Sequence, residues 1–149
     1  MNLDKIIQKE GLTLSLQSKD KQGVIEELLD SLVRADRIQN RKPALKAILD
    51  REKKMSTGMH NGLAIPHGKT ETVDSLHAAI GLSPQGIDFN SQDGKPSQIF
   101  ILTVSPVNRA GPHIQFLAEI SRLMNREDFR RELLAAETID QMYHILTGC

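Results

Sequence analysis

Cysteine is nearly absent from this chain of 149 residues, since the one example, Cys149, is the last residue. A single thiol permits no intrachain disulfide and no CxxC metal clip, which fits a reducing compartment. At a fraying terminus it reads as an inert tail. Tryptophan is missing, and one Tyr and four Phe leave few aromatic faces for stacking bases. Neither sign of charge dominates, because 19 Lys and Arg balance 19 Asp and Glu. No net field therefore recruits nucleic acid or anionic lipid. No apolar run approaches the ~20 residues of a membrane span, and MNLDKIIQKEG lacks the core of a signal peptide. These absences argue against nucleic-acid binding and membrane insertion, and a cytoplasmic protein is expected. No repeat or Pro/Gly/Ser-rich linker divides the chain, so one domain over residues 1–149 is expected.

What is present alternates between two periods. The opening segment suits a short helix with Leu3, Ile6 and Ile7 inward. GLTLSLQS then places Leu12, Leu14 and Leu16 on one face of a half-buried strand. Ser18 is positioned to cap a helix in which Val24/Ile25, Leu28/Leu29 and Leu32/Val33 recur every four residues. A second helix runs from Pro43, through Leu45, Ile48 and Leu49, into REKK. LAIPH, HAAIGLSP and SQIFILTVSP read as strands, the last two joined by a hairpin around Asp93-Gly94. Pro112 opens a further helix, and Asn125 with Glu127 and Asp128 marks another start. Thr138 and Gln141 form a capping box before a last helix that stops at Gly148. The pattern predicts an α/β sandwich with a central mixed β-sheet flanked by α-helices, because the hairpin forces at least one antiparallel pair.

One stretch departs from this ordinary pattern: GMHNGLAIPHGKT, residues 58 to 70, holds two of the five histidines. Pro66 has no amide hydrogen and pushes Ile65 into an extended conformation, so a strand there must lie at an edge or end. On this reading His67 emerges where the ladder stops, and Gly68 adds no side chain to shield it. Gly58 and Gly62 permit close backbone approaches or positive φ. The result is a stiffly aimed imidazole, suited to a nucleophile that must meet a bulky partner. On local physics alone, an exposed loop histidine accounts for the pattern about as well.

GLAIPHG resembles the active-site signature of the enzyme IIA domains of the fructose/mannitol class of the bacterial phosphotransferase system. The order of elements, the REKK-STG lead-in from Arg51 to Gly58 and the later Pro-His-Ile helix start are also similar. The resemblance implies a phosphotransferase whose His67 accepts a phosphoryl group from a phosphorylated HPr-type protein. It would then pass the group to an enzyme IIB, or change what a regulatory target binds. Histidine suits the task because its unperturbed pKa of ~6.5 leaves a ring nitrogen nucleophilic near neutrality. No cofactor is implied, and the GKT at 68 to 70 is no phosphate loop, since Leu63 stands where that loop needs glycine. The STG followed closely by AIPHGK, in a unit without an attached IIB or membrane segment, resembles the nitrogen-regulatory branch more than the sugar-transport one.

The resemblance also implies supporting residues. His113, after Gly111-Pro112 at a helix start, would hydrogen-bond a phosphoryl oxygen, and Arg51 would stabilise charge during transfer. Their plainer readings are a solvent-facing helix residue and a solvated arginine in a charge run. Glu52 and the lysines after it read as surface charges. Ser56 and Thr57 suit either a phosphate or the end of the helix. His60 lies in a Gly-flanked turn and reads as a loop histidine, while His77 and His144 read as surface or element-edge residues. Lys69 is placed to attract phosphate or a partner. His60, His67 and His113 show no HxH or HExxH spacing, so a metal site is not expected.

Overall fold

The computed structural model describes residues 2–149. After a 3-10 turn at Leu3–Lys5, β1 (Ile7–Thr13) is followed by α1 (Lys21–Arg34) and α2 (Arg41–Lys54). Four strands come next: β2 (Leu63–Ala64), β3 (His67–Thr70), β4 (His77–Ile87) and β5 (Ser97–Pro106). The chain closes with α3 (Ala110–Met124), α4 (Glu127–Leu134) and α5 (Ile139–Thr147). The strands form one mixed sheet in the order β1-β4-β5, with β2 and β3 sharing the edge beside β5. β4 and β5 are antiparallel, as the Asp93-Gly94 turn requires, and the other pairings are parallel.

β5 explains the layering. It is buried along nearly its whole length, and its side chains alternate between two cores. Ile99 and Ile101 join Phe116 and Ile120 of α3, Leu133 of α4 and Leu146 of α5 on one face. Phe100, Leu102 and Val104 join Ile25, Leu28 and Leu29 of α1 and Ile48 of α2 on the other. Each such side chain contributes roughly 1.5–3 kcal/mol when fully buried. Helices on both sheet faces make the sandwich anticipated from the sequence.

The boundaries differ in instructive ways. Ile7 begins a strand instead of completing a helix, because pairing with Ala78 of β4 outcompetes a turn of local bonds. Leu12 and Leu14 share one core, but Leu16 lies in the other, since β1 ends at Thr13 and the chain crosses over. Ser18 does not cap α1: Asp20 does, accepting from the amide of Gly23, while the Ser18 hydroxyl donates to Glu27. Asn125 closes α3, and α4 begins after Arg126. The box at Thr138 caps α5 as expected, and Gly148 ends it with φ of 77°.

The main correction concerns Pro66. The ladder does not stop there. Leu63 and Ala64 pair with Ile99 and Phe100, and His67 resumes with Thr103, in unbroken register. The Pro66 carbonyl still accepts from the Thr103 amide at 3.1 Å. Proline is tolerated because this is an edge strand, where no further strand asks for its missing N–H. The Ile65 amide instead donates to the Thr57 carbonyl at 3.1 Å.

Gly68 has a different purpose from the one its position suggested. A Cβ there would stand 2.8 Å from the Ile48 amide nitrogen and 3.0 Å from the Ala47 carbonyl carbon. The missing side chain lets the backbone of α2 rest on β3. Gly68→Ala should therefore destabilise the fold by about 1–3 kcal/mol, because backbone cannot yield as a side-chain tip can. Chemical denaturation measures this, and an unchanged midpoint would mean that α2 does not press on the strand.

Candidate functional site

β3 alternates as any strand must, so His67 and Lys69 face one way and Gly68 and Thr70 the other. Gly68 and Thr70 are buried while Lys69 is exposed, which leaves His67 half-buried on the rim of the edge strand. Its Nδ1 lies 2.8 Å from the Ile65 carbonyl oxygen. A carbonyl can only accept, so Nδ1 carries the proton and Nε2 is left as the bare nitrogen. Burial pushes the His67 pKa below its ordinary value, helped by the nearby Arg51 and Lys69 cations. The Ile65 bond and Glu52 oppose that shift without reversing it. The ring is neutral at pH 7.

His113 sits in the first turns of α3 and is buried rather than solvent-facing. Its ring centroid is 5.2 Å from that of His67 with the planes tilted by 46°. The Nε2 of His113 is 3.1 Å from the hydroxyl oxygen of Thr103, the β5 residue registered opposite His67. One β5 position thus sets the spacing of both imidazoles. Desolvation, with the His67 and Lys69 charges, pushes the His113 pKa down to about 4. The structure therefore brings together two neutral imidazoles.

Arg51 lies in the last turn of α2 and is half-buried. It is near enough to depress the His67 pKa, yet its Nη1 donates to the Met55 carbonyl at 2.8 Å. The site named from sequence is therefore assembled from α2, β3 and α3. His60 and His144 are exposed, and His77 is held in β4 with Ser75 as its recorded side-chain partner.

Glu52 was expected at the surface and is buried instead, with 8% of its area exposed. Its carboxylate accepts from the Thr57 amide at 2.9 Å, the Thr57 hydroxyl at 2.6 Å and Lys21 Nζ at 2.9 Å. Ser56 donates to the Phe89 carbonyl at 2.6 Å, so neither hydroxyl of the Ser56-Thr57 pair is offered to a ligand. Lys53 and Lys54 are exposed, as a charge run should be. The network continues to the site: Thr57 accepts from the Ile65 amide, and the Ile65 carbonyl holds His67. The DREKK run concealed this, because no local pattern marks which acid in a charged helix turn faces inward.

Glu52→Ala should cost roughly 2–4 kcal/mol by leaving buried donors unpaired. Glu52→Gln, which keeps an acceptor for Thr57, should cost less, and urea unfolding of both variants ranks them. A second expectation concerns acid. Between pH ~6.5 and about 4 the unfolded chain binds a proton at position 113 and the folded chain does not, so stability falls as pH drops through that window. The loss is on the order of 3 kcal/mol. His113→Asn should flatten the pH dependence of the unfolding free energy there, and an unaltered slope would show that His113 is not held neutral.

Comparisons with known proteins show the family. The model of the family described as "Phosphoenolpyruvate-dependent sugar phosphotransferase system, EIIA 2" matches residues 5–149. The chain is 36% identical to the fructose-specific EIIA component of Haloferax volcanii, covering 97% of this chain and 94% of that one. It is 34% identical, over 98% of its length, to the fructose-specific EIIABC component of Bacillus subtilis, of which it spans only 23%. In structure it is similar to nitrogen regulatory protein IIA-Ntr from Neisseria meningitidis, with a TM-score of 0.89 at 25% identity, covering 97% of this chain and 99% of that one. The chain belongs to the EIIA 2 family of the phosphoenolpyruvate-dependent sugar phosphotransferase system.

Proposed function

We propose that residues 1–149 act as one cytoplasmic phosphocarrier unit, with His67 Nε2 as the atom that receives the phosphoryl group from an HPr-type donor. The observation that carries the reading is the 2.8 Å bond from Nδ1 to the Ile65 carbonyl. It leaves Nε2 unprotonated, on a ring that is half-exposed at the edge of the sheet. In the forward step the Nε2 lone pair attacks phosphorus as the P–N bond to the donor histidine breaks. No proton has to move. The positive charge that develops on the His67 ring is shared with the Ile65 carbonyl through Nδ1–H. In the onward step the ring departs as neutral imidazole of the same tautomer, so the site resets itself.

His113 and Arg51 are proposed as stabilisers. The incoming group carries ~1.5–2 negative charges, which favour a proton on a neighbouring imidazole and so raise the low resting pKa of His113. Its depressed pKa keeps His113 unprotonated until the phosphoryl charge arrives. Arg51 holds the Met55 carbonyl with Nη1 and keeps Nε and Nη2 as donors for a phosphoryl oxygen. Lys69, on the same strand face as His67, adds to the local positive field.

Two outputs share this chemistry. A nitrogen-regulatory role, in which phosphorylation of His67 changes what the protein binds, is supported by the close structural fit to IIA-Ntr. Delivery of the group to an enzyme IIB for sugar uptake is supported by 34% and 36% identity to fructose-specific proteins over nearly the whole chain, where nitrogen regulatory proteins matched over the same span are 25% and 27% identical. The test is labelling with phosphoenolpyruvate, enzyme I and HPr. The intact chain should take up an acid-labile label and His67→Ala none. Full labelling of His67→Ala would overturn the site. His113→Ala should still accept phosphate but pass it on about 100–1,000-fold more slowly, the range for losing one stabilising donor. Rapid transfer from the labelled chain to a fructose-class IIB identifies the transport output, and retention of the label the regulatory one.

A further inference from the structure

A second concave feature lies away from His67, at the end of the sheet where β5 finishes and α3 begins. It is a cavity of about 210 Å3. Lys5 from the first turn, Arg37 from the loop after α1, Arg109 at the start of α3, and His77 with Ser75 at the start of β4 supply its polar lining. Leu76 belongs to an apolar wall, and no carboxylate lines the space. Four separate parts of the chain thus bring positive or protonatable groups to one place.

These cations are unsatisfied. Among the described residues, no carboxylate lies within 4 Å of Lys5, Arg37 or Arg109, whereas Arg41, Arg122 and Arg126 each have such a partner. Arg37 is also half-buried. It is presented by Asp36, whose φ of 60° turns the chain sharply after α1. Burial, and after it the Arg37 charge, push the His77 pKa below its ordinary value, which places that guanidinium close to the imidazole across the cavity. Glu71 and Asp74 line the adjoining depression, which shares Pro106 and Arg109. Arg109 therefore stands between the two spaces, while Lys5 and Arg37 face only the basic one.

Size and chemistry narrow the occupant. A volume of 210 Å3 exceeds the ~150 Å3 of an engineered cavity that holds benzene. It accommodates one tetrahedral anion and a short carbon body. Two guanidinium forks and an ammonium match a doubly charged phosphate better than a single carboxylate. The apolar wall has no use in binding a bare ion. We propose that this cavity binds a compact organic phosphate, a monoester on a body of three or four carbons. His113 directly follows Pro112, another lining residue, so occupancy of the cavity bears on the helix turn that presents His113.

The test uses the full chain without its phosphotransfer partners, so it is separate from the His67 assignment. Glycerol 3-phosphate is titrated by calorimetry and by amide chemical shifts, with inorganic phosphate and glycerol as comparators. Saturable binding is expected, with shifts centred on Lys5, Ser75 to His77 and Arg109. Arg37→Gln should weaken it at least tenfold. Arg109→Gln, at an exposed position where folding is not at stake, should do the same, and His67→Ala should bind as the unaltered chain does. The proposal fails if binding is not saturable, if the shifts centre on His67, or if both arginine variants keep full affinity. Inorganic phosphate binding as tightly as the ester would also overturn it.

Discussion

The hydrogen bond from His67 Nδ1 to the carbonyl of Ile65, two residues earlier in the same chain, decides which nitrogen of this imidazole is free. An imidazole has two equivalent choices for its proton, and a backbone carbonyl removes one of them. Everything around the bond keeps that carbonyl in place. Pro66 restricts the backbone between the two residues, and the register of β2 and β3 against β5 continues across it. The Ile65 amide is tied to Thr57, and Thr57 is tied to buried Glu52 and through it to Lys21. A nucleophile on an edge strand is accessible but exposed to fraying. The Glu52 network is the compensation, anchoring the segment beside that edge to α1 and α2.

The two sheet faces divide the labour. α2 can lie close on β3 because Gly68 has no side chain, and this contact brings Arg51 to the rim. α3 covers the opposite face and brings His113, with Thr103 of the central strand as its partner. The site is therefore a junction of three elements whose spacing depends on β5, the most deeply buried strand in the sheet. Burial has an electrostatic consequence as well. It keeps both imidazoles neutral, the form in which, under the proposed function, His67 attacks and His113 takes up charge later.

The acid–base behaviour and the fold energetics are thus one problem. A buried neutral imidazole at position 113 lowers stability in acid, a cost that a purely structural core would avoid by using an apolar side chain. Retaining a histidine there makes physical sense when its ability to gain a proton is used. The basic cavity at the start of α3 raises a parallel point. Positive groups left without partners are tolerable at a rim, and Lys5, Arg37 and Arg109 form a concentration of them distinct from the one around His67.

The sequence by itself determined the class of fold and the positions of most helices and strands, because apolar periodicity and proline chemistry are local properties, while the resemblance of GLAIPHG and of the Pro-His-Ile helix start to the enzyme IIA family marked the candidate imidazoles His67 and His113. It also determined that Pro66 belongs at an edge or an end of a strand, since a missing N–H cannot serve a central one. It did not determine that the ladder continues past Pro66, which depends on β5 being there to receive it. Ile7 looked helical and Glu52 looked exposed for the same reason: their partners, Ala78 in one case and Lys21 with Thr57 in the other, were not visible in the local pattern. Only the tertiary structure decided which nitrogen of His67 is free and that His113 is a neutral neighbour. Tautomer and pKa are set by atoms that approach in space, and periodicity along the chain carries no record of those distances.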